Sequence, residues 1–235
     1  PISEGDHLFV DKGHPQWQQG LKLLYCAVDE FARERDVTTR IIRDLIPDDE
    51  QMDNLMVDNG YVKSFMPTNY ILDLSEWNRN ECYTNLLRSR NKRRFRANVL
   101  STIDMYDVNV KQSVYRLDLQ KYFNLYQNVH SKSLDINTFE LPFEFFEAIN
   151  QNDKWEFIEL RLKEQGNEVV AVVFAYKGLT VYAPTMMGKN YGVPQEFNVY
   201  RQAVYQAIKA SKEARYDEVR LSFSADIDKK NIGAK

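Results

Sequence analysis

Between Glu168 and Gly233 the chain alternates between two hydrophobic periods. Val169, Ala171, Val173 and Ala175 interleave with Val170, Val172, Phe174 and Tyr176, so both faces of this segment are apolar, as in a strand covered on both sides. Gly178 stands where a tight hairpin turn is needed, and a second strand follows through MMG. Val199, Ala203, Tyr205, Ala207, Ile208 and Ala210 then give a helical stripe. Val219, Leu221 and Phe223 return to the strand period of two, and DIDKKNIGAK reads as a lysine-bearing turn. A hairpin that feeds a helix packed on the sheet predicts an α/β fold, with its chemistry at strand ends.

Upstream, Leu119–Lys132 carries Tyr122, Phe123, Tyr126 and Val129 as an amphipathic helix. LPFEFFEAINQ predicts another helix starting at Pro142, and a strand runs from Trp155 to Lys163, closing at Gly166 and Asn167. A further strand is expected near Val108 to Leu117. In the first third, Leu21, Leu24, Tyr25, Val28 and Phe31 mark a helix, and TTRIIRDLI reads as a strand. Asp48 to Asn59 reads as a helix opened by Pro47 and Asp48 and closed by Gly60, before a long strand, YVKSFMPTNYILDL, interrupted by Pro67.

Glu81 to Met105 reads as one long helix with a basic segment: Arg88, Arg90, Lys92, Arg93, Arg94 and Arg96 place six positive charges in nine residues. Arg90, Arg93 and Arg94 share a face. That face is either simply solvated or a grip for phosphate or carboxylate, which arginine forks bind bidentately.

The whole chain has 235 residues and a net charge of −3, so it offers no general attraction to nucleic acid. Its longest apolar run, Val169 to Tyr176, is too short to span a membrane, and no signal peptide is evident. Cys26 and Cys82 lack metal or redox spacing, which points to a reducing, cytoplasmic setting. His7, His14 and His130 are too scattered for a ligand set, so no metal is expected, and no nucleophile-elbow, Walker or Rossmann pattern occurs. The chain begins at Pro1 and stops just after the Gly-Ala turn, which reads as one region of a longer polypeptide with flanking domains.

The order of elements, the segment EFNVYRQAVYQAIKASKEARYDEVRLSF and the closing KKNIGA resemble the GNAT superfamily of N-acyltransferases. More narrowly they resemble the branch that joins the Fem aminoacyltransferases to GNAT-like acyltransferases, some of them fused to amino-oxononanoate-synthase-like enzymes. In that branch a Lys followed four residues later by Gly recurs at this point, as Lys229 and Gly233 do here, and LRSRNKRRFRANV is similar to the branch's basic helix. The resemblance implies a GNAT-like mixed sheet flanked by helices (α/β, or α+β) in two halves. Residues 1–75 would be the C-terminal part of a truncated, mainly structural first half. Residues 76–235 would be the second half, with the basic helix 81–105 and the site. DNLMVDNGYV is similar to the helix that ends a GNAT unit, without the family's usual leaving-group tyrosine.

The activity implied is transfer of an acyl or aminoacyl group to a small-molecule amine. The donor would be acyl-CoA, acyl carrier protein or aminoacyl-tRNA as co-substrate, with no membrane partner. The GNAT pyrophosphate loop is missing, a departure shared with the Fem-like enzymes, and it leaves open a non-catalytic GNAT-like binding module or a domain of a larger fused biosynthetic enzyme. Acyl transfer needs a positive or hydrogen-bonding group at the developing oxyanion and a route for the amine's proton. Lys229 is the candidate for the oxyanion, with Lys230 as the alternative one register on. Tyr182 is a candidate proton donor or pocket wall, and Glu196 a base. Arg90, Arg93, Arg94, Tyr191 and Arg201 are candidate substrate contacts.

Overall fold

A computed structural model of the chain describes residues 8–42, 45, 48–64, 69–79, 82–132, 140–222 and 226–234. They fall into two compact units, 1–66 and 67–235. In the first, helices α1 (Trp17–Glu34) and α2 (Glu50–Asp58) share a small core of Leu21, Tyr25, Met52, Leu55 and Met56. Asp49 caps α2, its carboxylate accepting from Met52 N at 3.1 Å. Gly60, at φ 84°, follows the helix in the left-handed conformation that ends helices. The strand expected at TTRIIRDLI is not formed over residues 38–42, and Pro47 lies outside the described residues.

The second unit contains a six-stranded sheet. Its elements are β1 (Ile71–Asp73), α3 (Ser75–Arg79), α4 (Ser89–Asn98), β2 (Tyr106–Lys111), α5 (Arg116–Lys132), α6 (Phe143–Asn150), β3 (Trp155–Leu162), β4 (Glu168–Lys177), β5 (Val181–Lys189), α7 (Val199–Glu213), β6 (Glu218–Arg220) and α8 (Asp226–Asn231). The strand order is β1-β6-β5-β4-β3-β2, antiparallel except for the parallel β5–β6 pair. β1 belongs to the second unit, where Ile71–Asp73 pairs with Glu218–Arg220.

Three further expectations need correction. The long strand before Leu74 shortens to β1, with residues 65–68 outside the described set. The single helix over 81–105 is three pieces among the described residues: a 3₁₀ turn at Tyr83–Leu86, α4, and a 3₁₀ segment at Leu100–Met105. Local reasons are visible at both joints. Leu87 and Arg88 are extended, and Phe95 and Val99 turn inward to the core while the arginines stay outside. The lysine-bearing turn is the short helix α8.

Helices cover both faces of the sheet. Tyr122 of α5 and Phe146 of α6 meet Phe157 and Phe174 from one side. Ala203, Ala207 and Ile208 of α7 pack with Ile158, Leu160, Ala171 and Val173 from the other. Phe157 and Ile158 are neighbours on β3, so their opposite assignments follow from the pleat. This explains why β4 is apolar on both faces. α5 lies very close to β5: a Cβ on Gly188 would stand 2.7 Å from the Tyr126 backbone nitrogen.

Two carboxylates are buried within the sheet. Glu159 accepts from Tyr122 Oη (2.7 Å), Lys111 Nζ (3.0 Å) and Arg161 Nε (2.7 Å). Glu156 accepts from Tyr182 Oη (2.5 Å) and Gln112 Nε2 (3.2 Å). Buried charge is tolerated only when paired in this way.

Candidate active site

The parallel pair β5–β6 holds together over only two registers, Val181↔Glu218 and Tyr182↔Val219. Beyond that point β6 turns to β1, where Leu221 N donates to Tyr70 O at 2.8 Å and Tyr70 N to Ser222 O at 3.1 Å. β5 runs on to Lys189 paired with β4 but no longer with β6. The two strands thus diverge at their carboxyl ends, the place where α/β sheets open a ligand crevice. β5 is also bulged there: Ala175 pairs with Pro184 but Phe174 with Met186, so Thr185 is the extra residue, its hydroxyl donating to Phe174 O at 3.3 Å. A bulge interrupts the ladder and re-aims the strand beside a site.

After β5, the turn Gln195–Phe197 leads into α7, whose cap Asn198 is left-handed at φ 51°. Because α7 crosses over to the parallel strand β6, its N-terminus lies at the carboxyl end of β5. After β6, Ser222 is also left-handed, at φ 61°, an uncommon conformation for a residue other than glycine. Its carbonyl accepts from Lys229 Nζ at 3.1 Å. Lys229 is only 4% exposed, and its ammonium lies 5.8 Å from the Tyr70 ring centroid.

Several bonds hold α8, which carries this lysine. Arg201 in the first turn of α7 donates from Nε to Asp228 Oδ1 at 2.9 Å and from Nη1 to Asn198 Oδ1 at 2.7 Å. Arg94 Nη1 donates to Asn231 Oδ1 at 2.8 Å, and Asn91 Nδ2 to Lys230 O at 3.0 Å. The buried Tyr83 hydroxyl donates to Ile232 O, and burial pushes its ionisation well above the usual tyrosine range. Gly233 closes the helix at φ 101°, so the Lys-to-Gly spacing has a conformational cause.

The structure therefore gathers Lys229, Lys230, Arg94 and Arg201 around α8. Lys230 is exposed beside the same Tyr70 ring, 5.5 Å away. Arg90 and Arg93 are exposed on α4, while Arg94 is tied into the fold. Tyr182 lies elsewhere: it is fully buried, its hydroxyl is committed to Glu156, and burial and that carboxylate push its ionisation far up. Glu196 is exposed in the turn before α7. Tyr191 stands past the end of β5 with the ammonium groups of Lys132 and Lys189 at 4.5 and 4.6 Å from its ring centroid.

Sequence reasoning missed Asn198, Ser222, Asp228 and Asn231. Asp228 and Asn231 flank the two lysines in DIDKKN, which is the one signal that they share its helix. His130 sits on α5 with its ring tilted against Tyr126. Among the described residues no group of three or more His, Cys, Asp or Glu could hold a metal ion, and no helix is long and apolar enough to cross a membrane.

No protein-family model and no curated protein matches the sequence. Solved structures do match in fold. FemX superposes with a TM-score of 0.57 at 11% identity, over 93% of this chain and 74% of FemX. A tandem GNAT protein from the clavulanic acid biosynthesis pathway, solved without AcCoA, gives 0.58 at 10% identity, over 98% and 70%. A GCN5-related glucosamine N-acetyltransferase region of a fungal multi-domain GH3 β-N-acetylglucosaminidase gives 0.59 at 12%, over 97% of this chain and 28% of that protein. The fold is GNAT-like, of the kind that FemX shares.

Proposed function

We infer that this chain transfers an acyl or aminoacyl group to an amine at the divergence of β5 and β6. The observation that carries the reading is the position of Lys229, a buried ammonium fixed on Ser222 O just past the end of β6. The fold it shares with FemX and with a tandem GNAT protein supports the reaction class.

In this reading the amine attacks the carbonyl of a thioester or ester donor, forming a C–N bond. The C–S or C–O bond then breaks, and the leaving group takes up a proton. Lys229 faces the negative charge that grows on the carbonyl oxygen between those events. Removal of one such donor typically costs about 3 to 4 kcal/mol, or on the order of a hundredfold to a thousandfold in turnover. Arg201 and Arg94 position the lysine through Asp228 and Asn231 rather than touching substrate. Arg90, Arg93 and Lys230, exposed near that helix, are suited to an anionic donor such as acyl-CoA, acyl carrier protein or aminoacyl-tRNA. Glu196 is assigned the amine's proton by way of water, supported by its exposure in the turn that enters α7. Tyr182 is given no chemical step, since its hydroxyl is bonded inward.

One observation favours a second reading, a binding module without turnover: the Lys229 ammonium is almost wholly buried and donates to the protein's own backbone. Acetyl-CoA, long-chain acyl-CoA and charged tRNA, each assayed with a set of amine acceptors, separate the two. Binding is followed by thermal stability, because a ligand at about 100 times its dissociation constant adds roughly 2.7 kcal/mol. The expected result is turnover of one donor class that falls about a hundredfold or more in Lys229→Met with donor binding kept. A folded Lys229→Met that turns over normally removes the lysine from the mechanism, and stabilisation without turnover establishes the module.

A further inference from the structure

We propose that Lys132 and Lys189, drawn together over the ring of Tyr191, hold an anionic group of the amine acceptor at the carboxyl end of β5. This rests on reading that end of the sheet as the acyl-transfer site.

The arrangement is built by elements that are each well fixed. β5 ends at Lys189, and the next residue stays tied to the sheet through Asn190 N and Val170 O at 2.9 Å. The Asn190 side chain then accepts from Gly192 N at 2.8 Å, a tight turn of the kind asparagine favours, with Tyr191 at its tip. α5 ends at Lys132. It reaches the same place because Gly188 lets the helix backbone approach β5 more closely than any side chain would permit. The two ammonium groups consequently stand 4.5 and 4.6 Å from one ring centroid.

The ring attracts each cation, yet the cations repel one another. Among the described residues no hydrogen bond or ion pair reaches either ammonium. Burial, together with the charge of Lys132, holds the Lys189 ammonium below the usual lysine range. Two cations at one half-exposed tyrosine, near enough for the charge of Lys132 to act on Lys189, match a carboxylate or a phosphate, and such a group bound by both would offset their repulsion. The acceptor is the substrate in question because the exposed cations beside α8 lie at the end of the other divergent strand, near Lys229. Each strand end thus has its own cationic station, one per substrate.

The test is NMR of the full chain with lysines reductively methylated with carbon-13, which keeps their charge. The Lys132 and Lys189 signals are assigned by their disappearance in Lys132→Arg and Lys189→Arg. Sodium phosphate and sodium acetate are added separately, against sodium chloride at matched ionic strength. The Lys189 signal should shift saturably with phosphate, acetate or both, but not with chloride. Lys132→Gln should weaken that response about tenfold, as loss of a charged partner does, and Lys132→Arg should keep it. A phosphate-only response identifies a phosphorylated acceptor and an acetate-only response a carboxylate. No saturable response to either anion, or one undiminished in Lys132→Gln, overturns the proposal. The readout does not depend on turnover, so loss of the acyl-transfer reading in the Lys229→Met assay would be recorded separately.

Discussion

Replacing Glu159 by Gln tests how the sheet tolerates its most deeply buried charge. Glu159 has no exposed surface, and burial by itself pushes its carboxyl up. The bonds from Arg161, Tyr122 and Lys111 outweigh that and hold it down at about 2, against an ordinary 4.5. At 1.36 kcal/mol per pKa unit, the difference corresponds to roughly 3 kcal/mol of native stability carried by the ionised form. The native value lies below the unfolded one. The contribution is therefore complete above about pH 4.5 and is lost as the pH falls toward 2. Gln keeps the shape and one acceptor oxygen but cannot ionise. Its two cationic neighbours are both partly exposed and can return to water. Glu159→Gln should be less stable by about 3 kcal/mol near neutral pH, with the gap closing as the wild-type carboxylate protonates. Urea unfolding across this pH range, followed by the fluorescence of Trp155 on the same strand with Trp17 and Trp77 replaced by Phe, reads the gap directly. A gap that stays constant from neutral to acid pH, or no gap at all, would refute the reasoning.

Gly188→Ala should lower stability by about 1 to 3 kcal/mol, because the new methyl would overlap backbone atoms of α5 that cannot rotate away; an unchanged urea midpoint would mean that the helix–sheet contact is looser than described. Tyr83→Phe should cost about 1 to 3 kcal/mol by leaving the Ile232 carbonyl without its buried donor. Hydrogen exchange at the Gly233 and Ala234 amides should accelerate in that variant, and unchanged rates there would show that α8 is held without Tyr83.

Much of the second unit was legible because periodicity reports burial directly. The strands at Trp155, Glu168 and Val181, the helix at Val199 and the helices at Leu119 and Phe143 all form where the pattern predicts them. The basic helix was overextended because a run of good helix formers says nothing about where the core demands a turn. Leu87 and Val99 are drawn inward at the two joints. Lys229 was singled out through its spacing to Gly233, whereas Ser222 and Asp228 were not. Their roles depend on a left-handed backbone and on a partner in α7, neither of which leaves a periodic trace. Glu159 was invisible for a related reason: its partners come from β2, β3 and α5, and only the folded sheet brings them together.

The shortness of the β5–β6 contact has a mechanical consequence. The antiparallel run from β2 to β5 is bonded along most of its length, whereas β6 joins it through two registers and carries β1 on its other side. The sheet is thus a stiff frame with a narrow hinge at Tyr182 and Val219. Local opening follows sparse backbone bonding only where buried apolar contact is sparse as well. Here burial makes up for the short ladder, because Val219 and Leu221 sit in the core with Tyr70 and Leu72. One sheet is thus held by two different forces: hydrogen-bonded ladders in the antiparallel frame, and side-chain packing at the edge that carries β6 and β1.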